Sequence, residues 1–107
     1  MLVDEEVIRK AVDLLLRAAP AGSKVILFGS YARGDADPDS DLDFIVVEPQ
    51  VQDAFGEMVR LREALRPLRI AVDVLVVSAK TFEEWRDTPN TAICEAAREG
   101  KVYEQVA

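Results

Sequence analysis

Apolar and polar positions alternate along the chain in two rhythms, one helical and one extended. From Asp4 to Ala18, Val7, Ala11, Leu14 and Ala18 recur at helical spacing, while Glu6, Arg9, Lys10, Asp13 and Arg17 fall largely on other faces. This predicts an amphipathic helix, ended by Pro20-Ala21-Gly22. Lys24 to Phe28 reads as a short buried strand. A short helix is expected from Ser30 through Ala32, closed by Gly34. Asp35 to Ser40 is polar and contains Pro38, so it reads as a loop. Leu42 to Val47 is a second strand, and Pro49 punctuates the chain after it. Val51 to Leu65 carries Val51, Phe55, Met58, Leu61 and Leu65 as one helical stripe. Leu68 to Val77 reads as the third and longest strand. Thr81 to Trp85 and Thr91 to Arg98 are two short helices split by Pro89, and Lys101 to Glu104 is a final short strand. The order predicts an α/β or α+β domain built on a small mixed β-sheet. With no internal repeat, low-complexity segment or boundary, residues 1–107 read as a single domain.

Composition narrows the possible functions. A chain of 107 residues, half of them hydrophobic and 31% charged, supports one domain with a modest core. No apolar stretch is long enough to span a bilayer, so no membrane partner is expected. Met1-Leu2-Val3-Asp4-Glu5-Glu6 lacks the basic start of a signal peptide. Cys94 is the only cysteine, which removes an intrachain disulfide and a cysteine zinc cluster. These features fit a cytoplasmic protein. The formal net charge is -7, which argues against direct, stable nucleic-acid binding, because that binding runs on counterion release from basic surfaces. There is no histidine, so a Ser-His-Asp triad is excluded. Proton transfer must fall to a carboxylate, lysine, tyrosine or water.

The candidate chemistry sits in GSYARGDADPDSDLDFIVV, residues 29–47. Gly29-Ser30 directly follows the apolar run Val25-Ile26-Leu27-Phe28. Glycine at a strand-to-helix turn lets a ligand approach the backbone, and the helix start offers unpaired N–H groups to phosphate. The Ser30 hydroxyl adds a donor; the alternative is a tight turn with Ser30 as an ordinary helix N-cap. Asp41 and Asp43 stand two apart, so on a strand they share a face. Adjacent carboxylates repel unless a cation joins them, and Mg²⁺ is the natural partner; the alternative is a solvated loop before the strand. Asp73 lies within the apolar run Leu68 to Val77, where a lone carboxylate is costly. If it shares a face with Asp41 and Asp43, the three can hold two metal ions. The alternative is an edge strand with Asp73 in water. Together the turn and the carboxylates point to nucleotide chemistry.

Other residues carry less. Asp37, Asp39, Asp41, Asp43 and Glu48 match the spacing of an EF-hand, but Leu42 stands where that loop needs glycine, and a strand pattern follows. Arg33 is placed either to meet phosphate or to pair with Asp35 or Asp37. Arg60, Arg62, Arg66 and Arg69 form a local basic cluster that reads as a solvated helix face. Phe82, Trp85 and Cys94 read as core or partner-facing residues. Tyr31 and Tyr103 suggest no chemistry.

Gly29-Ser30, ten intervening residues, Asp41-Leu42-Asp43 and a later Asp73 resemble the minimal nucleotidyltransferases of the DNA polymerase β-like superfamily. The local form GSYARGDADPDSDLD is similar to the prokaryotic subgroup called MNT, as is the ending Ala97 to Glu104. The resemblance covers nearly the whole chain. It implies a small mixed sheet flanked by helices, metal ions held by Asp41, Asp43 and Asp73, and ATP or another NTP bound through Gly29 and Ser30. It further implies an antitoxin that transfers AMP to a tyrosine of a HEPN-domain, RNA-cleaving toxin, with which it forms a hetero-oligomer. Two other classes stand beside this one: an antitoxin that acts by steric blockade, and a transferase acting on a small molecule such as an aminoglycoside. The chain is nearly all catalytic core, so the acceptor surface must come largely from a partner or from the acceptor itself.

Overall fold

In a computed structural model, residues 2–105 are described. Helix α1 spans Glu5–Ala18, and Asp4 caps it by accepting a hydrogen bond from the Val7 amide at 2.9 Å. Its buried face is Ile8, Ala11, Val12 and Leu15, turned from the expected Val7, Ala11, Leu14 and Ala18 stripe. Both stripes are apolar, and the packing against the sheet selects the first. Strand β1 is Lys24–Phe28, the short helix α2 is Ser30–Arg33 and strand β2 is Leu42–Glu48. Helix α3 is Ala54–Ala64, strand β3 is Val72–Ser78, α4 is Ala79–Trp85, α5 is Ala92–Glu99 and β4 is Lys101–Glu104. The strand order is β3-β2-β1-β4, with β2 and β3 parallel and β1 antiparallel to both of its neighbours. The mixed sheet flanked by helices is the expected architecture.

Alternation along the strands divides the core in two. Leu42, Phe44 and Val46 face α1 and α3, with Leu15, Leu61 and Leu65 in the larger cluster. Ile45 and Val47 face α4 and α5, with Phe82 and Ala96 in the smaller one. No helix among the described residues is long and apolar enough to cross a membrane.

Two expectations need correction. The helix expected over 51–65 begins only at Ala54, because the Asp53 carboxylate caps it through the Gly56 amide at 3.0 Å. Phe55, in the first turn of α3, is 75% exposed and leaves the stripe. The strand expected from Leu68 begins at Val72 and is no longer than β2, because Arg66–Leu68 form a 3-10 turn and Arg69 adopts a left-handed backbone. Of the residues read as core or partner-facing, Phe82 and Cys94 are buried and Trp85 is exposed. The dismissal of a calcium loop stands, since Leu42 to Glu48 form a strand.

The far end of β2 carries a buried acid pair. Glu48 is 2% exposed, and its Oε2 has no hydrogen-bond partner among the described residues. Burial, then a hydrogen bond to Glu57, pushes its carboxyl up to about 7. Glu57 lies well below its usual range, held first by Arg60, which donates to it at 2.8 Å while also donating to the Ala18 carbonyl at 2.7 Å. The folded chain thus keeps a Glu48 proton that the unfolded chain releases. The stability from this group is present below its unfolded pKa and is lost as pH rises toward 7. Glu48→Gln retains a donor toward Glu57 and cannot ionise. It is expected to melt higher than the parent near pH 8, by several degrees for each ~1 kcal/mol recovered, with the advantage gone near pH 4. Thermal melts across that range check it; a pH-independent difference would contradict it.

Candidate active site

The end of the sheet opposite Glu48 gathers the motif residues. Phe28 is the register partner of Asp43, and Asp43 is the register partner of Asp73. The backbone thus places the Gly29 turn, Asp43 and Asp73 side by side across β1, β2 and β3. By strand alternation Asp43 and Asp73 lie on the face covered by α4 and α5. Asp41 lies one residue before β2 and is exposed. The Leu42 amide donates to the Ala71 carbonyl at 3.0 Å, which pins the start of β2 to the approach of β3.

Asp73 is the second residue of β3 rather than its middle, and its side chain is 63% exposed on an edge strand. The burial cost expected for it is therefore absent. It nonetheless shares the face of Asp43, and Arg62 Nη2 lies 3.7 Å from its Oδ1. Asp43 is half-buried. Burial first, then the charges of Asp73, Asp41 and Glu95, hold its carboxyl above the ordinary carboxylate range, and Arg33 pulls the other way. Among the described residues no three carboxylates form a ready-made cation cage. The donor chemistry is still that of a hard divalent cation site: Asp43 and Asp73 on paired strands with Asp41 nearby, the latter two each raising the cost of ionising Asp43.

Gly29 turns the chain out of β1 with φ 78° and ψ -157°, a region open to glycine alone. A Cβ here would collide with Asp43 Oδ2. The Gly29 turn and the Asp43 carboxylate are therefore in direct contact, which the sequence spacing did not reveal. Gly29, not Ser30, is the cap residue of α2, and no side chain caps that helix. The alternative reading of Ser30 as an N-cap thus falls away. The Arg33 amide donates to the Gly29 carbonyl at 3.0 Å, and Gly34, with φ 85°, closes the helix through the Ser30 carbonyl at 2.9 Å. Tyr31 plays a structural part, because its hydroxyl accepts from the Val3 amide at 3.0 Å.

Ser30→Ala is expected to shift stability by less than about 0.5 kcal/mol, because no cap is lost. If its hydroxyl meets the triphosphate of ATP, as the resemblance implies, the change weakens ATP binding about tenfold, the scale of one hydrogen bond to a charged group. Titration with ATP beside a thermal melt checks both, and unchanged ATP affinity would contradict the role given to the hydroxyl.

The Arg33 guanidinium meets Asp35 at 3.3 Å, Glu95 at 3.0 Å and Glu99 at 3.7 Å. It therefore ties α2 to α5, and a phosphate would have to compete for it. Glu95 and Glu99 were not visible as site neighbours in the sequence; their only signal is a shared helix face at i,i+4. The basic cluster divides. Arg60 serves Glu57 and α1, whereas Arg62, Arg66 and Arg69 line a cleft beside the start of β3. A separate apolar hollow of about 220 Å³, against Ile26, Val47 and Phe82, contains none of the three aspartates.

The sequence profile of the family described as "Nucleotidyltransferase domain" matches residues 8–104. No curated protein matches the chain significantly. Among solved structures, a nucleotidyltransferase from Sulfolobus solfataricus is similar at 20% identity and a TM-score of 0.62, covering 92% of this chain and 77% of that one. A toxin-antitoxin complex with AMP-PNP is similar at 24% identity and 0.64, covering 96% and 75%. A third, the tri-AMPylated Shewanella oneidensis HEPN toxin in complex with MNT antitoxin, gives 20% and 0.61, covering 94% and 72%. These likenesses show the fold: the small mixed sheet with its helices is that of the polymerase β-like nucleotidyltransferases.

Proposed function

This chain belongs to the nucleotidyltransferase domain family, and from that premise we propose that it transfers AMP from ATP to a tyrosine of a cognate HEPN-type, RNA-cleaving toxin, as the antitoxin of the pair. The observation that carries the reading is the contact between the Gly29 turn and the Asp43 carboxylate, with Asp73 in register beside it. A triphosphate on the turn brings its α-phosphorus to the carboxylates. Gly29 and Ser30 grip phosphate oxygens, and Arg33 is a further candidate for them. Asp41, Asp43 and Asp73 are the residues that would hold Mg²⁺, expected as two ions. Bound Mg²⁺ supplies charge neutralisation to the triphosphate and to the leaving pyrophosphate. Asp73, the most outward of the strand carboxylates, is placed to draw the proton from the attacking hydroxyl. That oxygen bonds to the α-phosphorus, the α–β anhydride bond breaks, and pyrophosphate leaves.

Two observations favour a protein acceptor. The chain, at 107 residues and net charge -7, suits a basic partner through charge complementarity. Two structural relatives come from toxin-antitoxin complexes, in one of which the toxin is tri-AMPylated. On that analogy more than one AMP unit is added here. The test is to incubate the purified chain, Mg²⁺ and ATP with the protein of the neighbouring gene and to measure intact mass. The reading expects mass gains in AMP increments. An unmodified neighbour that is still neutralised would favour steric blockade, and labelling of an aminoglycoside would favour a small-molecule transferase.

A further inference from the structure

Across the sheet end, the Gly29–Ser30 turn follows β1, Asp43 stands on β2 and Asp73 on β3. The turn and Asp73 thus flank Asp43 from opposite sides, so the nucleotide's side and the acceptor's side are distinct. On the β3 side lies an open cleft of about 650 Å³, lined by Arg62, Arg66, Arg69 and Val72 among others. Its volume falls within the range of small-molecule sites, roughly 300–1,000 Å³.

Three arginines around one cleft run against a chain of net charge -7. Arg62 Nη2 lies 3.7 Å from Asp73 Oδ1, so one arginine of the cleft reaches round the edge strand to the carboxylates on the other face. Arg66 pairs with Glu63 at 3.2 Å, both side chains being well exposed. An exposed pair of this kind is weak and yields to a phosphate. Arg69 has no ion pair among the described residues, and its backbone sits at φ 52° and ψ 47°. That left-handed conformation is unfavourable for a residue other than glycine, and such positions cluster at functional segments.

We propose that the Arg62, Arg66 and Arg69 cleft holds the phosphodiester of an AMP unit already attached to the acceptor, so that the enzyme can extend a short AMP chain. This rests on the AMP-transfer reading above and assigns the acceptor subsite for its later rounds. A ribose hydroxyl of the attached AMP attacks the α-phosphorus of a fresh ATP. The new O–P bond forms as the α–β anhydride bond breaks, pyrophosphate takes the bonding pair, and the hydroxyl proton passes to Asp73 as in the first round. The first round presents a bare protein hydroxyl with no phosphodiester, so it makes no use of Arg66 or Arg69. Every later round presents one, and planar guanidinium groups suit it by paired hydrogen bonds.

The experiment uses a double variant, Arg66→Gln with Arg69→Asn, because asparagine tolerates the left-handed backbone. Parent and variant are each incubated with the neighbouring protein, Mg²⁺ and ATP, and intact mass is followed in time. In parallel, the dinucleotide pApA is titrated into each free chain at two salt concentrations. The first AMP should be added at the parental rate, while the second and later additions slow by about tenfold or more. The variant should bind pApA more weakly by a similar factor and with a shallower salt dependence. Equal slowing of every round, no slowing at all, or unchanged pApA binding would overturn the assignment. If the parent leaves its neighbour unmodified, the transfer reading fails on its own, and the pApA titration still decides the cleft.

Discussion

Asp43→Asn is expected to lower nucleotide transfer by at least about a hundredfold, the scale of losing one transition-state electrostatic contact, while the folded chain loses no stability at neutral pH. The carboxylate is half-buried, and its ionised form is opposed by burial and by Asp73 and Asp41. A folded-state pKa raised above the unfolded one means that stability is present below the unfolded pKa and lost as pH rises through the folded one. Asparagine keeps the shape and removes the charge. In the absence of added metal, the variant should melt at or above the parent near pH 7, and the two should converge near pH 3. Pyrophosphate release with ATP and Mg²⁺ measures the other half. A variant that keeps parental turnover would remove Asp43 from the site.

Gly29→Ala is expected to lose both activity and stability, in contrast to Asp43→Asn. The φ of 78° and ψ of -157° place Gly29 where a side chain costs about 1–3 kcal/mol. The added methyl would also collide with Asp43 Oδ2, so either the turn or the carboxylate must move. Loss of ATP binding, with a fall in melting temperature of roughly 4–8 °C per kcal/mol, is the expected pair of results. Combining Gly29→Ala with Asp43→Ala should restore part of the stability and none of the transfer, because the truncated side chain removes the collision. Double-mutant melts read that coupling directly. Purely additive losses would mean that the contact between turn and carboxylate carries no energy.

Local signals made most of the fold legible. The Lys24–Phe28 strand and the Lys101–Glu104 strand are bounded by breakers on one or both sides, and their expected limits match the structure. Gly34 was readable as a helix stop because few other residues take its conformation. The misreadings arose where two patterns coincide. Leu68, Ile70 and Val72 alternate like a strand, yet Pro67 and the left-handed Arg69 hold residues 66–69 in a turn. Val51 and Phe55 have helical spacing with Leu61 and Leu65, but the Asp53 cap starts the helix after Val51, and Phe55 stands in solvent.

At the site, residue types were legible while their partnerships were not. Paired spacing of Asp41 and Asp43 could be read locally, and the register between Asp43 and Asp73 fits the expectation of a shared face. The contacts from Arg33 to Glu95 and Glu99, from Arg62 to Asp73, and from Gly29 to Asp43 depend on how helices and strands pack. No local pattern encodes them. The division of the arginines likewise follows from packing: Arg60 and Arg62 leave α3 in different directions, while Arg66 and Arg69 belong to the turn after it.

The most direct test of AMP transfer by this site compares two labels. Purified chain and its neighbouring protein are incubated with Mg²⁺ and either α-labelled or γ-labelled ATP, with the Asp43→Asn chain as control. The account predicts that the α-label alone becomes bound to the partner's tyrosine, that the γ-label leaves as pyrophosphate, and that Asp43→Asn transfers neither. Labelling of the partner from γ-labelled ATP, or undiminished α-labelling by Asp43→Asn, would contradict it.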